Sequence, residues 1–115
     1  PNSTFSETFH YGEIGSAHNL FINEDSGFAY IVGSKTCAGG LHIVDITEPV
    51  NPRRTGCYSN RGYTHDVQCV NYDGPDTRYT DKEICFASNT DKVDIIDVTR
   101  KWFPQLISTF IYDNY

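Results

Sequence analysis

Apolar residues arrive along this chain in short runs separated by turns, and the runs come twice in the same order. "LHIVDI" (41–46) and "VDIIDV" (93–98) are short runs rich in Val, Ile and Leu, of the length and composition of a strand. Gly-, Asn- and Asp-rich stretches such as "NEDSG" (23–27) separate such runs. The pattern predicts strands over about 18–23, 28–34, 41–46 and 53–59, then over about 65–72, 83–88, 93–98 and 105–112. Pro49, Pro52 and Pro104 lack the N–H that a ladder needs, so they mark where a third strand ends and a fourth begins.

The two halves align. "GSAHNLFIN" (15–23) falls on "GYTHDVQCV" (62–70) with His18 on His65, and "YIVGS" (30–34) falls on "ICFAS" (84–88) with Ser34 on Ser88. Asp45 then matches Asp97, and Pro52 matches Pro104. The length differences lie in turns, above all where "NEDSG" grows into "NYDGPDTRYTDK", which is what a structural repeat tolerates. "TFHY" (8–11) matches "TGCY" (55–58) in turn.

The third strands decide the architecture. Val44 and Ile46 point to one face and Leu41 and Ile43 to the other; Ile96, Val98, Val93 and Ile95 repeat this. A strand that is apolar on both faces must be covered on both, and a row of sheets stacked around an axis does so. The expectation is an all-β propeller segment of two four-stranded antiparallel blades. Residues 15–62 form one blade and 63–115 the next, while residues 1–14 supply the last strand of a preceding blade. A ring needs roughly four to eight blades, so the remainder would come from the same propeller or from other copies. A chain that opens "PNSTFSETF" without Met reads as a piece of something longer.

Val, Ile, Thr, Tyr and Phe dominate the apolar runs and Met is absent, which suits strands. The net charge of −6, with no cluster of Lys and Arg, argues against nucleic-acid binding. No apolar run is long enough for a membrane helix. Cys37, Cys57, Cys69 and Cys85 include no CxxC pair, so they read as two disulfides from an oxidising compartment, with free buried thiols as the alternative. Cys69 with Cys85 is expected because the first two strands of a blade are antiparallel neighbours; Cys37 is then expected with Cys57. Asn2-Ser3-Thr4 is an N-glycosylation sequon that agrees with export. The localisation expected is extracellular or at the cell surface.

"AHNLFINEDSGFAYIVGS", "CAGGLHIVDITEPVNP", "GYTHDVQCV", "GPDTRY" and "KEICFASN" together resemble the LVIVD-repeat proteins, in particular the choice-of-anchor B domain group. The likeness runs from about Gly15 to Ile111. It implies a β-propeller on a secreted or surface-attached protein, of which this chain is a segment, and it brings no catalytic activity. Extracellular protein or glycan partners are compatible with it. "TRKWFP" departs from "TEPVNP" by one proline, which affects the turn shape.

His18 and His65 start the first strand of each blade, which in propellers lines the central channel. They could meet at a transition metal, since imidazole suits zinc, copper, iron or nickel, or each could brace its own blade, or touch a substrate. Calcium could sit at Asn23, Glu24 and Asp25, or at Asp73, Asp76 and Asp81, although neither run has the EF-hand pattern and such turn residues are often simply solvated. Asp45 and Asp97 read as turn caps that accept backbone N–H groups. His10 and His42 read as ordinary strand residues, and Trp102 with Phe103 as core or inter-blade packing in preference to sugar stacking. No GxSxG elbow is present. The balance favours a non-catalytic structural or interaction module; the alternative is a metal-centred enzyme with His18 and His65 as ligands.

Overall fold

The computed structural model describes residues 4–112. It is all-β, with two four-stranded antiparallel sheets. The first consists of β1 (Asn19–Asn23), β2 (Phe28–Val32), β3 (Leu41–Asp45) and β4 (Arg53–Tyr58). The second consists of β5 (Thr64–Asn71), β6 (Glu83–Asn89), β7 (Lys92–Asp97) and β8 (Gln105–Ile111). Each is a simple meander in which every strand pairs with its neighbours in sequence. The strand bounds fall within two residues of those read from the apolar pattern.

The register repeats as well. In both sheets the pairing of third and fourth strands slips by one residue, between Ile43 and Val44 and again between Ile95 and Ile96. A bulge at the same place in both copies bends the outer strand alike and belongs to the repeat's design.

The sheets pack face to face. Tyr30, Val32, Leu41, Ile43 and Tyr58 of the first meet Val67, Cys69, Cys85, Ala87, Ile96 and Val98 of the second in one buried cluster. Under the repeat alignment, the second sheet's inward residues correspond to Leu20, Ile22, Ile31, Gly33, Val44 and Ile46. Those positions lie on the side of the first sheet that faces away from the second, where five of them line a groove. The front of one sheet therefore packs on the rear of the next, and the two sheets stack in the same sense. Burying such side chains contributes about 25 cal/mol for each Å² of apolar surface removed from water, so this seam dominates the stability.

Gly56 is required at the seam: a Cβ there would overlap the Lys101 carbonyl. Gly33 and Gly39 hold positive φ, and the ring of Tyr63 lies against both.

Residues 4–18 form no strand. The last strand of a preceding blade, expected at 1–14, is thus absent from the described part of that segment, which lacks a neighbouring strand to pair with. Its position still follows the repeat. Tyr11 hydrogen-bonds to His42, and His42 is the counterpart of Asp94, to which Arg61 of the segment after Tyr58 is bonded. Trp102 and Phe103 are 73% and 53% exposed and so are not part of the core of these two sheets.

Candidate functional site

His18 and His65 come together. Their ring centroids are 5.3 Å apart in an edge-on arrangement, and the Tyr63 ring lies 4.9 Å from His65 and 6.1 Å from His18. The strands place them there, because β1 and β5 run side by side and Asn19 donates to Asp66 across the seam at 3.0 Å. Both imidazoles are exposed. Neither makes a side-chain hydrogen bond among the described residues, so the pair is an aromatic contact and not a hydrogen-bonded brace. Among the described residues no group of three or more His, Cys, Asp or Glu side chains could hold a metal ion.

The residues considered for calcium are otherwise employed. Asn23 is buried, and its amide donates to Asn71 and Glu83 while its oxygen accepts from the Asp25 N–H. Asp76 accepts from the Arg78 N–H at the start of a 3₁₀ turn (Thr77–Tyr79) and forms an ion pair with the Arg78 guanidinium at 2.8 Å. Asp81 takes a positive φ in the same long turn. Glu24, Asp25 and Asp73 are exposed.

Asp45 and Asp97 perform the same task in each sheet. One carboxylate oxygen accepts from both the N–H and the hydroxyl two residues on, at Thr47 and at Thr99. The Thr47 hydroxyl and N–H hold the Asp45 carboxyl below its ordinary value. Cys37 is joined to Cys57 and Cys69 to Cys85. The first bridge links the turn after β2 to β4; the second joins directly opposed residues of β5 and β6. Asn2 lies outside the described residues.

The most developed polar constellation sits between the sheets. Glu83, at the start of β6, is buried and pairs with Lys101 at 3.0 Å. Its other oxygen accepts from the Tyr30 hydroxyl at 2.6 Å, the Asn23 amide at 2.9 Å and the Ser26 hydroxyl at 2.9 Å, all from the first sheet. Lys101 lies 4.2 Å from the centroid of the Phe28 ring. Burial, reinforced by the carboxylate beside it, pushes the Tyr30 hydroxyl far up, so it stays a donor at any physiological pH. A buried ion pair whose remaining valences are all met tolerates burial, but losing one partner strands the other.

A second lock closes the linker. The Arg61 guanidinium makes two bonds to Asp94, at 2.9 and 3.0 Å, and Thr109 adds a third. Burial pushes the Asp94 carboxyl up, but the Arg61 and Thr109 bonds outweigh it and leave the group below its ordinary value. At the matching place in the first sheet His42 is flanked by Tyr11 at 2.8 Å and Thr36 at 2.9 Å. Burial and the Arg54 charge hold His42 down, which favours the neutral imidazole, hydrogen-bonded through Nε2 to the Tyr11 hydroxyl. Burial, with Glu13 adding to it, raises that hydroxyl to about 12.

Sequence reading missed Glu83, Lys101, Arg61 and Asp94. The repeat alignment held a signal, because Glu83 falls where the first blade has Ala29 and Asp94 where it has His42. No family model, curated protein or solved structure matches the chain.

Proposed function

We propose that the chain is a non-catalytic structural or interaction module of LVIVD-type propeller blades. It belongs to a larger propeller or assembly, outside the cell or at its surface. The observation that carries this is the stacking itself. The sheets bury their core against one another in a front-to-rear sense, and the matching faces at both ends remain apolar. The two buried ion pairs, Glu83 with Lys101 and Asp94 with Arg61, brace this seam, which suits a module built for docking.

Export is supported by the two disulfides, which persist in oxidising compartments. No helix of the described residues is long and apolar enough to cross a membrane. Extracellular protein or glycan partners fit such a module.

One observation favours a second reading, a metal-centred enzyme: the 5.3 Å approach of His18 and His65. Metal analysis of the protein secreted from a eukaryotic host separates the two. The module reading expects both disulfides formed, glycan at Asn2, and no stoichiometric zinc, copper or iron. One equivalent of metal that is lost in His18→Ala would favour the metal-centred reading in its place.

A further inference from the structure

Resting on that reading, we propose that a second copy of this chain docks head to tail, the front of its second sheet against the rear of the first sheet of its neighbour. The internal seam is the template for the contact. On it the front of the first sheet offers Tyr30 and Asn23 to Glu83, which pairs with Lys101 on the rear of the second. At the open ends both halves of this lock are missing together. The rear of the first sheet has Ala29 where Glu83 would stand and Pro49 where Lys101 would stand. The front of the second sheet has Ile84 in place of Tyr30 and Val70 in place of Asn23. The carboxylate has gone from one face and its donors from the other.

The open faces therefore match each other and mismatch the inner ones. Glu83 set against Ile84 and Val70 would be buried without its donors, a penalty that discriminates between partners. Ala29 set against Ile84 is apolar on apolar. The bond at the first strands survives with its roles exchanged, because Asn19 and Asp66 occupy matching positions and would face each other again. Both faces carry exposed apolar side chains: Leu20 (52%) and Ile22 (44%) on one, Val70 (44%) and Phe86 (37%) on the other. A front-to-rear contact is heterologous and closes only as a ring. Propeller rings hold roughly four to eight blades, so several such contacts are needed to close one.

Two elements bear on the contact. On the front of the second sheet the turn after β5 brings Tyr72 and Tyr79 beside Ile84, which is already buried, and a docked copy would have to pack against that turn as well. The segment containing Tyr11 occupies the place that the end of β8, around Phe110, would take in the docked pair. It holds this place without strand pairing, through the Tyr11–His42 bond and apolar contact. Docking displaces it.

Sedimentation velocity on the full chain over a concentration series tests the proposal with a charge swap. Leu20 and Phe86 correspond to Val67 and Val32, which share the buried cluster of the internal seam. Leu20→Glu and Phe86→Lys are both at exposed positions, and far-UV circular dichroism with a thiol count verifies that each variant is folded. The wild type is expected to form discrete closed species. Either variant alone should associate roughly tenfold or more weakly, and an equimolar mixture should recover association by placing Glu opposite Lys. Tyr11→Ala should associate more tightly than wild type. A wild-type chain that stays monomeric, variants that associate unchanged, a mixture no better than its components, or a weaker Tyr11→Ala would each overturn the proposal. The metal analysis above judges the module reading separately, so a monomer free of metal leaves that reading standing while this one falls.

Discussion

The two sheets share one plan of strands, bulges and aspartate-capped turns, yet they are locked in chemically different ways. The second carries two ion pairs on buried carboxylates: Glu83 with Lys101, and Asp94 with Arg61. At the matching positions the first has Ala29 and Pro49, and a neutral histidine bonded to a tyrosine. The shared features hold each sheet together; the differing ones select what lies against it. Strand pattern thus fixes each sheet, while a few polar residues fix how the two sheets lie against each other.

The largest effect that can break this comparison lies at Glu83. Glu83→Ala leaves Lys101 buried without its carboxylate and should cost about 3–5 kcal/mol, read from urea unfolding. Glu83→Ala combined with Lys101→Ala should cost less than the sum of the single variants, since the second change removes the stranded charge. Strict additivity would mean the pair does not act as a lock.

The disulfides come next. Removing Cys69–Cys85 by paired Ala substitution should cost about 3 kcal/mol from loop closure, plus a loss of core packing. Cys37–Cys57 closes a loop of similar length at the sheet margin, and removing it should cost less. Equal losses would show that the seam gains nothing from the bridge buried in it.

Acid should separate the two locks. His42 titrates below its ordinary value of 6.5, so the stability it contributes is complete above that pH and is lost as pH falls through the folded value. Asp94 obeys the same sign about its ordinary value of 3.8 and holds until the pH falls below it. Thermal midpoints measured from pH 7 to pH 5 should fall in the wild type and fall less in His42→Gln. Asp94→Asn should alter the profile only below about pH 4.

The smallest effects belong to the histidine pair. His18→Ala and His65→Ala remove an exposed aromatic contact and should each cost about 1 kcal/mol or less. Because the rings touch, the double variant should cost less than the sum of the two. Additive losses would mean that each imidazole braces its own sheet.

The strands and their grouping were legible in the sequence because alternation and proline turns are local signals. Val44 with Ile46 and Leu41 with Ile43 announced a strand covered on both sides, and both pairs lie on opposite faces. The polar locks were not legible in the same way. Glu83 and Tyr30 are 53 residues apart and meet only because the sheets stack front to rear. A buried carboxylate and a solvated one look alike in a sequence until the partner face is known. Tyr11 shows the converse case. Its match to Tyr58 was visible, but a strand needs a neighbour, and residues 4–18 have none to pair with.

Hydrogen exchange, resolved strand by strand on the wild type and on Glu83→Ala, tests most directly whether the two sheets form one unit across the seam. The central amides of β2 and β3 should lose protection by the same free energy as those of β6 and β7, although the substitution lies in the second sheet. Loss confined to β5–β8, with β2 and β3 unchanged, would contradict the account.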